Sequence, residues 1–225
     1  MTESVWFGKP KSGGGQHPGL SRELIVRKAV EMLDEHGLGA LSMRKLAAQL
    51  GAAPMSLYWH VPTKDALLEL ALDHPFSELE PVDEGVTWDV AARGLMHSMR
   101  MIALRHPWWV KLVGSYMTVG PNAVAMADGM LKVMRDAGMS VVEASRSSSA
   151  LSSFVIGFVG AEVNFNANGA VDQIDVSKLH SLYAEKFPYY AETMAEAELW
   201  SVDKQFDFGL ECVVAGIRAS VGALR

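Results

Sequence analysis

The side chains best suited to binding chemistry are concentrated between Ser42 and Lys64. This stretch reads SMRKLAAQLGAAPMSLYWHVPTK and combines basic, hydroxyl, imidazole and aromatic groups. The planar guanidinium of Arg44 matches the acceptors on the edge of a guanine base. Hydroxyl, imidazole and ammonium groups are common donors to phosphate oxygens. These residue types indicate recognition of a nucleic acid.

Motifs of the common enzyme classes are absent from the sequence. It contains no GxSxG, P-loop or HExxH pattern and no set of zinc ligands. An all-α enzyme could use His97, His106 or His180 as an acid or base, but no partner motif accompanies these residues. We therefore expect no enzyme activity, no bound metal and no cofactor.

The composition favours an intracellular protein. Of its 225 residues, 49% are hydrophobic, which is ample for a buried core. The single cysteine, Cys212, excludes a disulfide framework within one chain and suits a reducing cytoplasm. There is no uninterrupted apolar run of about 18 residues, so the sequence predicts a cytoplasmic protein without a membrane partner.

Charge is distributed unevenly along the chain. The total net charge is −6, which argues against a general nucleic-acid coat protein. Residues 1–74 carry eight Lys and Arg against eight Asp and Glu, so the excess of acids lies in the remainder. A neutral front part with a few focused basic positions is still able to meet phosphate.

The helical periodicity predicts four helices in the front part of the chain. The third starts near Pro54, since proline is tolerated in a first turn, and ends near His60, before the pair Val61-Pro62. The fourth runs to about Asp73. The predicted N-caps and stops are Ser21, Ser42 and Thr63, and Gly37 and Gly51. Short helices joined by a tight glycine turn describe a helix-turn-helix unit.

The whole chain is predicted to be all-α, without a period-2 strand or an internal repeat. A helix is predicted after Ser140 and another at the C-terminus, with a loop over residues 164–179 and one further helix between. The predicted organisation is a flexible arm at 1–20, a helix-turn-helix head at 21–74, a linker at 75–87 and a larger helical core at 88–225.

In the helix-turn-helix interpretation, the third helix enters the major groove of DNA. Ser56, Tyr58 and His60 then face the DNA, whereas Leu57 and Trp59 are expected in the core. Arg44 is expected to read a base, and Lys45 is as consistent with a solvated helix face as with DNA. The residues expected at phosphates are Ser42, Tyr58, His60, Thr63 and Lys64.

The stretch LSMRKLAAQLGAAPMSLYWHVPTKDALLEL resembles the helix-turn-helix of the TetR family of bacterial transcriptional regulators. Near the C-terminus, FDFGLECVVAGIRA is similar to the last helix of the tetracycline-repressor subgroup. Between residues 88 and 200 the likeness rests mainly on the order of helices. The resemblance implies an all-α homodimer with two N-terminal DNA-binding heads, in which the core over residues 88–225 is a ligand-binding and dimerisation domain. Members of the family are mostly repressors that leave a palindromic operator when a small molecule enters the core.

Carried over to this chain, the resemblance implies base reading by Arg44 and contact of Pro54, Met55 and Ser56 with base edges. Pro54 and Met55 depart from the family pattern because they lack hydrogen-bonding side-chain groups and can read only thymine methyls or DNA shape. The operator is therefore expected to differ from the tetracycline operator.

The effector site is predicted to be apolar. The stretch VKLVGSYMTVGP lacks the histidine that holds drug-chelated magnesium in tetracycline repressors, so metal-assisted tetracycline binding is not expected. Aromatic and thioether side chains suit a pocket for drug-like molecules, although the same residues at helical spacing also suit a core. The predicted effector residues are His97, Met101, Trp108, Tyr116, Met117, Met130, Phe154, Phe158 and Asn164.

Dimerisation is expected through the helices over residues 140–163 and 203–222, where small side chains allow close helix approach. The expected partners are thus double-stranded DNA, a small-molecule effector and a second copy of the chain. An alternative keeps the DNA-binding head but makes the core a docking module for a protein, or makes the regulator an activator.

Overall fold

The computed structural model describes residues 4–7, 19–81, 83, 85–167, 175–196 and 201–223. Within these ranges the secondary structure is helical and contains no strand, which confirms the all-α prediction. The α-helices are α1 (Arg22–His36), α2 (Met43–Gln49), α3 (Pro54–His60), α4 (Lys64–Asp73), α5 (Trp88–Arg105), α6 (Pro107–Val113), α7 (Pro121–Asp136), α8 (Val141–Ala167), α9 (Val176–Tyr183), α10 (Pro188–Ala195) and α11 (Val202–Ala223).

The predicted caps position the first four helices. The hydroxyl oxygens of Ser21, Ser42 and Thr63 accept hydrogen bonds from the backbone N–H groups three residues later, at 3.1, 3.2 and 3.0 Å. Such contacts satisfy N–H groups that have no partner inside the helix. Gly37 follows α1 with a φ of 70°, a conformation in which a Cβ atom is strained.

The prediction of a loop over residues 164–179 is wrong at both ends. Helix α8 continues to Ala167, and α9 already begins at Val176. Residues 168–174 lie outside the described ranges. The structure also has two helices, α9 and α10, where the sequence predicted one before the last helix. The asparagines of the NFNA segment concealed the end of α8 because residues 164–166 of the helix are exposed and need no apolar pattern.

The beginning of the predicted flexible arm contacts α4. The Ser4 hydroxyl and the Val5 N–H both donate to one carboxylate oxygen of Glu69, at 2.5 and 3.0 Å. Most of the remaining arm, residues 8–18, lies outside the described ranges. Residues 4–7 are therefore attached to the head, contrary to the expectation for the whole arm.

The chain forms two compact units, residues 1–137 and 138–225. The first unit includes α1–α7, and its core contains Ile25, Leu33, Leu46, Leu57 and Leu67, each at most 1% exposed. Residues 74–78, at the start of the predicted linker, form a 3₁₀ helix with Pro75 and Phe76 buried.

Helix α4 is held by polar contacts from the segment that follows α5. The Trp109 indole donates to the Leu72 carbonyl at 3.0 Å, and the Tyr116 hydroxyl donates to Asp65 at 3.2 Å. Partial burial raises the pKa of the Tyr116 phenol, and the charges of Asp65 and Glu69 raise it further, so the phenol remains a neutral donor. These contacts fix both halves of α4 against α6 and the loop after it.

The buried carboxylate of Asp73 caps α7 from the end of α4. The residue before α7 is Gly120, which has no side chain to cap the helix. Asp73 accepts the backbone N–H groups of Asn122 and Ala123 at 3.2 and 2.9 Å and the Asn122 side-chain amide at 3.0 Å. A Cβ atom at position 120 would collide with the Asp73 carboxylate, so glycine is required for this approach.

The second unit is built on the pair α8 and α11. Ser140 and Glu143 form a capping box at the start of α8, with bonds of 3.2 and 2.6 Å. The rings of Phe154 and Phe158 lie 5.5 and 5.2 Å from the ring of Phe206 on α11. Aromatic pairs at these distances stabilise the helix pair beyond simple area burial.

The exposed side of α8 is unusually free of large side chains. Ser145, Ser149, Ser153, Gly157 and Ala161 recur every four residues and are all exposed. Among the described helices, the segment Val141–Asn166 is long and apolar enough to cross a membrane, with a mean hydropathy of 1.2 and 28% of its most apolar window buried. Helices in soluble proteins meet the same criterion, so this is weak evidence for a membrane.

Replacing Asp73 by Ala should lower the free energy of unfolding by about 2 kcal/mol or more, because it leaves the first N–H groups of α7 buried without acceptors. Urea denaturation followed by circular dichroism measures this change. The control is Asp128→Ala at an exposed position of α7, expected to change stability by less than about 0.5 kcal/mol. Equal effects of the two substitutions would contradict the capping role.

Candidate DNA-binding site

The turn between α2 and α3 fixes their relative orientation. Gly51 has a φ of 61°, which only glycine adopts without strain, and the Ala52 N–H donates to the Ala47 carbonyl at 2.9 Å. Met43, Leu46 and Ala47 bury the inner side of α2. The two helices therefore form the predicted helix-turn-helix.

Helix α3 has only seven residues and is held from both sides. Leu57 is completely buried, and the Arg22 guanidinium of α1 donates through Nε to the His60 carbonyl at 3.3 Å. That bond satisfies a carbonyl at the end of α3 that has no partner in its own helix. The opposite side of α3 is thus turned outward in a fixed orientation.

The outward side of α3 is apolar and aromatic. Met55 is 68% exposed, Tyr58 40% and Trp59 56%. Pro54 is also exposed, whereas Ser56 and His60 are half-buried. Met55 and Trp59, four positions apart, share the side opposite Leu57, and Pro54 and Tyr58 flank that side. A surface of this kind offers van der Waals contacts and one phenol hydroxyl.

The expectation that Trp59 belongs to the core is wrong. Its side chain is largely exposed because the helix turns Leu57, two positions earlier, toward the core. Trp59 also lies four positions after Met55, on the same face. The i and i+4 relation to Met55 was the sequence signal that could have placed Trp59 on the outward side.

Residues with basic and hydroxyl groups precede and follow α3 in the sequence. Arg44 and Lys45 are exposed on α2, and Lys64 is exposed at the first position of α4. The hydroxyls of Ser42 and Thr63 accept the capping bonds of α2 and α4. Because a hydroxyl that accepts one bond retains its own proton, both can still donate to a phosphate.

The predicted effector residues are distributed over both units. In the first unit, His97, Met101 and Met117 are exposed, Tyr116 is half-buried and Met130 is buried. In the second unit, Asn164 is exposed, and Phe154 and Phe158 are half-buried in the cluster with Phe206. Their assignment to an effector site stays a prediction.

Trp108 has a packing role within the first unit. It is only 3% exposed, and its indole N–H donates to an Asp34 carboxylate oxygen at 2.6 Å. This bond between α6 and α1 accounts for the burial of the indole. Its participation in an effector site also stays a prediction.

The first unit contains a cavity of about 350 Å³ between the 3₁₀ helix, α5 and α7. Its wall is largely apolar, with Asn122, Ser77 and Glu80 as polar groups. The apolar lining includes Phe76, Leu79, Leu95 and Met126. The volume is within the range of small-molecule sites, and none of the predicted effector residues lines this cavity.

Metal ligation has no support in the described ranges. There, no group of three or more His, Cys, Asp or Glu side chains is placed to hold a metal ion.

The glycine turn, the outward side of α3 and the basic residues that precede and follow α3 in the sequence are typical of a helix-turn-helix DNA-binding protein. Residues 25–71 match the bacterial regulatory proteins of the tetR family, and residues 80–221 match the tetracyclin repressor-like C-terminal domain. The chain belongs to the TetR family of bacterial transcriptional regulators. This confirms the resemblance seen in the sequence.

Proteins named as transcriptional regulators are similar to this chain over nearly its whole length. An HTH-type transcriptional regulator of Saccharopolyspora erythraea is 36% identical, over 97% of this chain and 93% of the relative. The HTH-type transcriptional repressor DrrR1 of Streptomyces coeruleorubidus is 28% identical, over 99% and 86%. The crystal structure of the Streptomyces coelicolor TetR family protein ActR in complex with actinorhodin superposes with a TM-score of 0.79, at 28% identity over 90% and 99% of the two chains.

Operator DNA should shield Trp59 from solvent, because this indole is exposed on the outward side of α3. The Trp59 contribution is the difference in fluorescence between the wild type and Trp59→Phe, and its quenching by acrylamide should weaken when operator is added. Trp88→Phe removes a half-buried indole on α5 and is the control. Unchanged quenching of Trp59 in the presence of bound DNA would show that α3 does not face the operator.

Proposed function

We propose that this protein is a ligand-responsive repressor that binds a palindromic operator as a homodimer and releases it when a small, largely apolar or aromatic molecule binds. The observation that carries the proposal is the fixed outward face of α3, together with the exposed Arg44 on α2 and Lys64 on α4, in a chain of the TetR family. The relative DrrR1, a transcriptional repressor, supports repression, and ActR, solved in complex with actinorhodin, supports the binding of a small molecule.

The proposed DNA contacts fall into two classes. Arg44 reads a guanine edge, and Pro54, Met55 and Ser56 meet base edges through methyl contact and shape. Ser42, Tyr58, His60, Thr63 and Lys64 bind phosphates, with Lys45 as a peripheral contact. Trp59 joins the base-proximal face because of its exposure beside Met55.

Two copies are proposed to associate through α8 and α11. The exposed small side chains of α8 permit close approach of a second helix, and α11 exposes Phe208, Cys212, Ala215 and Ala219 along one side. Phe208 is 74% exposed, which is unusual for a large apolar side chain. A two-fold contact of these faces would bury it and would bring two heads to one palindrome.

The effector is proposed to bind in the cavity between the 3₁₀ helix, α5 and α7, which is a different place from the effector residues predicted from the sequence. Two residues that line the cavity are connected to α4. Asn122 donates directly to Asp73 at the end of α4. The ring of Phe76 lies 5.1 Å from the ring of Trp109, whose indole donates to the Leu72 carbonyl. A ligand that prefers one arrangement of these residues shifts the position of α4 by its difference in affinity for the two arrangements. Because α4 belongs to the head, this shift changes the placement of α3.

A gel-shift titration tests the function directly. The purified protein is mixed with the DNA segment upstream of its own gene at moderate salt, with unrelated DNA of equal length as the control. Preferred binding to a palindrome in that segment supports a regulator. Equal affinity for both DNAs would contradict the proposal.

Lys64→Ala and Arg44→Ala should weaken binding in different ways. Loss of the Lys64 phosphate contact should weaken binding to all sequences and reduce the slope of log K against log salt by about 1. Loss of Arg44 should cost about 1–3 kcal/mol on the operator and relax the preference at one base position. Fluorescence anisotropy at several salt concentrations, on operator and single-base variants, measures both effects.

The control for these variants is Lys28→Ala, which removes a cation of α1 that pairs with Glu31 at 2.7 Å. It should leave both the salt slope and the base preference unchanged. Identical behaviour of the Lys64 and Arg44 variants would contradict the assignment of Lys64 to a phosphate and of Arg44 to a base.

Gly157→Leu should convert the dimer to a monomer. A side chain at Gly157 meets open space within its own chain, so the substitution leaves the protomer intact but blocks close approach of a partner helix. Analytical ultracentrifugation measures the state of association. The matched control is Gly94→Leu on α5, also exposed and open, which should remain dimeric. A dimeric Gly157→Leu protein would place the interface elsewhere.

A further inference from the structure

His106 is a buried side chain to which the proposed DNA-binding and effector sites assign no role. It lies between α5 and α6 and is 4% exposed. Its Nδ1 atom is 2.6 Å from an Asp34 carboxylate oxygen, and its Nε2 atom is 2.9 Å from a Glu78 carboxylate oxygen. Both nitrogens of one imidazole therefore face carboxylates from different elements.

The two carboxylates have further donors. The Asp34 oxygen that faces His106 also accepts the Trp108 indole N–H at 2.6 Å. The other oxygen of Glu78 accepts a short hydrogen bond from the Arg105 guanidinium. The network therefore joins the last turns of α1 and α5, the end of the 3₁₀ helix and the first turn of α6.

The chemistry of imidazole makes this arrangement specific. A neutral ring has one N–H donor and one lone pair, whereas the imidazolium has two donors. When Asp34 and Glu78 are both ionised, only the imidazolium donates to both, and each bond is then charge-assisted. Neither an amide nor an apolar side chain at position 106 can reproduce two such donors in one rigid plane.

The place of the network in the first unit gives it a consequence for DNA binding. Asp34 is on α1, whose Arg22 holds the end of the reading helix through the His60 carbonyl. Glu78 lies between Ser77 and Leu79, which line the cavity. Trp108 precedes Trp109, whose indole donates to the Leu72 carbonyl of α4. We infer that His106 is a positioning residue for operator binding, whose ring holds α1, and with it the reading head, in one orientation on α6 and the 3₁₀ helix.

This inference rests on the proposed function, because orientation matters only when two heads must reach two half-sites together. An incorrectly oriented head still binds a single half-site, but the dimer loses the gain from simultaneous binding. The comparison of half-site and full-operator affinity therefore separates positioning from damage to the head itself.

The experiment measures the affinity of His106→Phe for the full operator and for an isolated half-site by fluorescence anisotropy. We expect full-operator affinity to fall about tenfold, in the range of typical coupling effects, and half-site affinity to change by less than about twofold. Asp34→Asn keeps an oxygen that accepts from Trp108 and His106 but removes the carboxylate charge. It should also weaken full-operator binding more than half-site binding, even if His106→Phe fails to fold. His36→Gln, at an exposed position of α1, is the matched control and should leave both affinities unchanged.

Two results would overturn the inference while leaving the proposed function intact. One is wild-type affinity of both variants for the full operator. The other is an equal loss on the half-site and the full operator, which indicates general damage to the head. Failure of the wild-type protein to bind any palindrome contradicts the proposed function instead, so the two failures are distinguishable.

Discussion

A seven-residue helix cannot maintain its conformation or direction in water, and α3 depends on its surroundings for both. Leu57 supplies the buried side, Arg22 holds the final carbonyl, and the turn at Gly51 fixes the beginning. Each of these contacts uses a different element of the head. The exposed positions of α3 therefore have a definite orientation, which base reading requires.

Helices α4 and α1 of the first unit also depend on neighbouring elements for their orientation. α4 is fixed by side chains from α6, the following loop and α7, and α1 is fixed by the network around His106. Asp73, His106 and Trp109 are buried, and buried polar groups have strong geometric requirements, because a donor or acceptor left without a partner is costly. Because α1 and α4 are held by such contacts, they move together with α6, α7 and the 3₁₀ helix. This coupled movement is the physical basis of the proposed response to an effector.

Local features were predictable from the sequence. The caps at Ser21, Ser42 and Thr63 and the stop at Gly37 act within one helical turn, so residue type and spacing were sufficient. The C-terminal helix predicted over residues 203–222 is found as α11, because a helical repeat of apolar residues is also read from neighbouring positions. The exposure of Trp59 was not inferred, since an aromatic type favours burial when the facing of a short helix is unknown.

Long-range polar contacts gave no local signal. Asp34 and His106 are 72 residues apart, and Asp73 caps a helix that begins after position 120, so neither pairing follows from neighbouring residues. Trp108 illustrates the difficulty: its type suggested a ligand cavity, and its bond to Asp34 gives it a packing role. The position of the cavity beside Asn122 likewise depends on how α5 and α7 pack.

The central claim is that α3 of each copy reads one half of a palindrome. Selection of the full-length protein against a random DNA library, followed by sequencing of the bound molecules, tests it most directly. The account predicts enrichment of an inverted repeat whose half-sites lie about one helical turn, 34–36 Å, or a multiple of that distance apart. Enrichment of sequences without two-fold symmetry, or of no sequence at all, would contradict it.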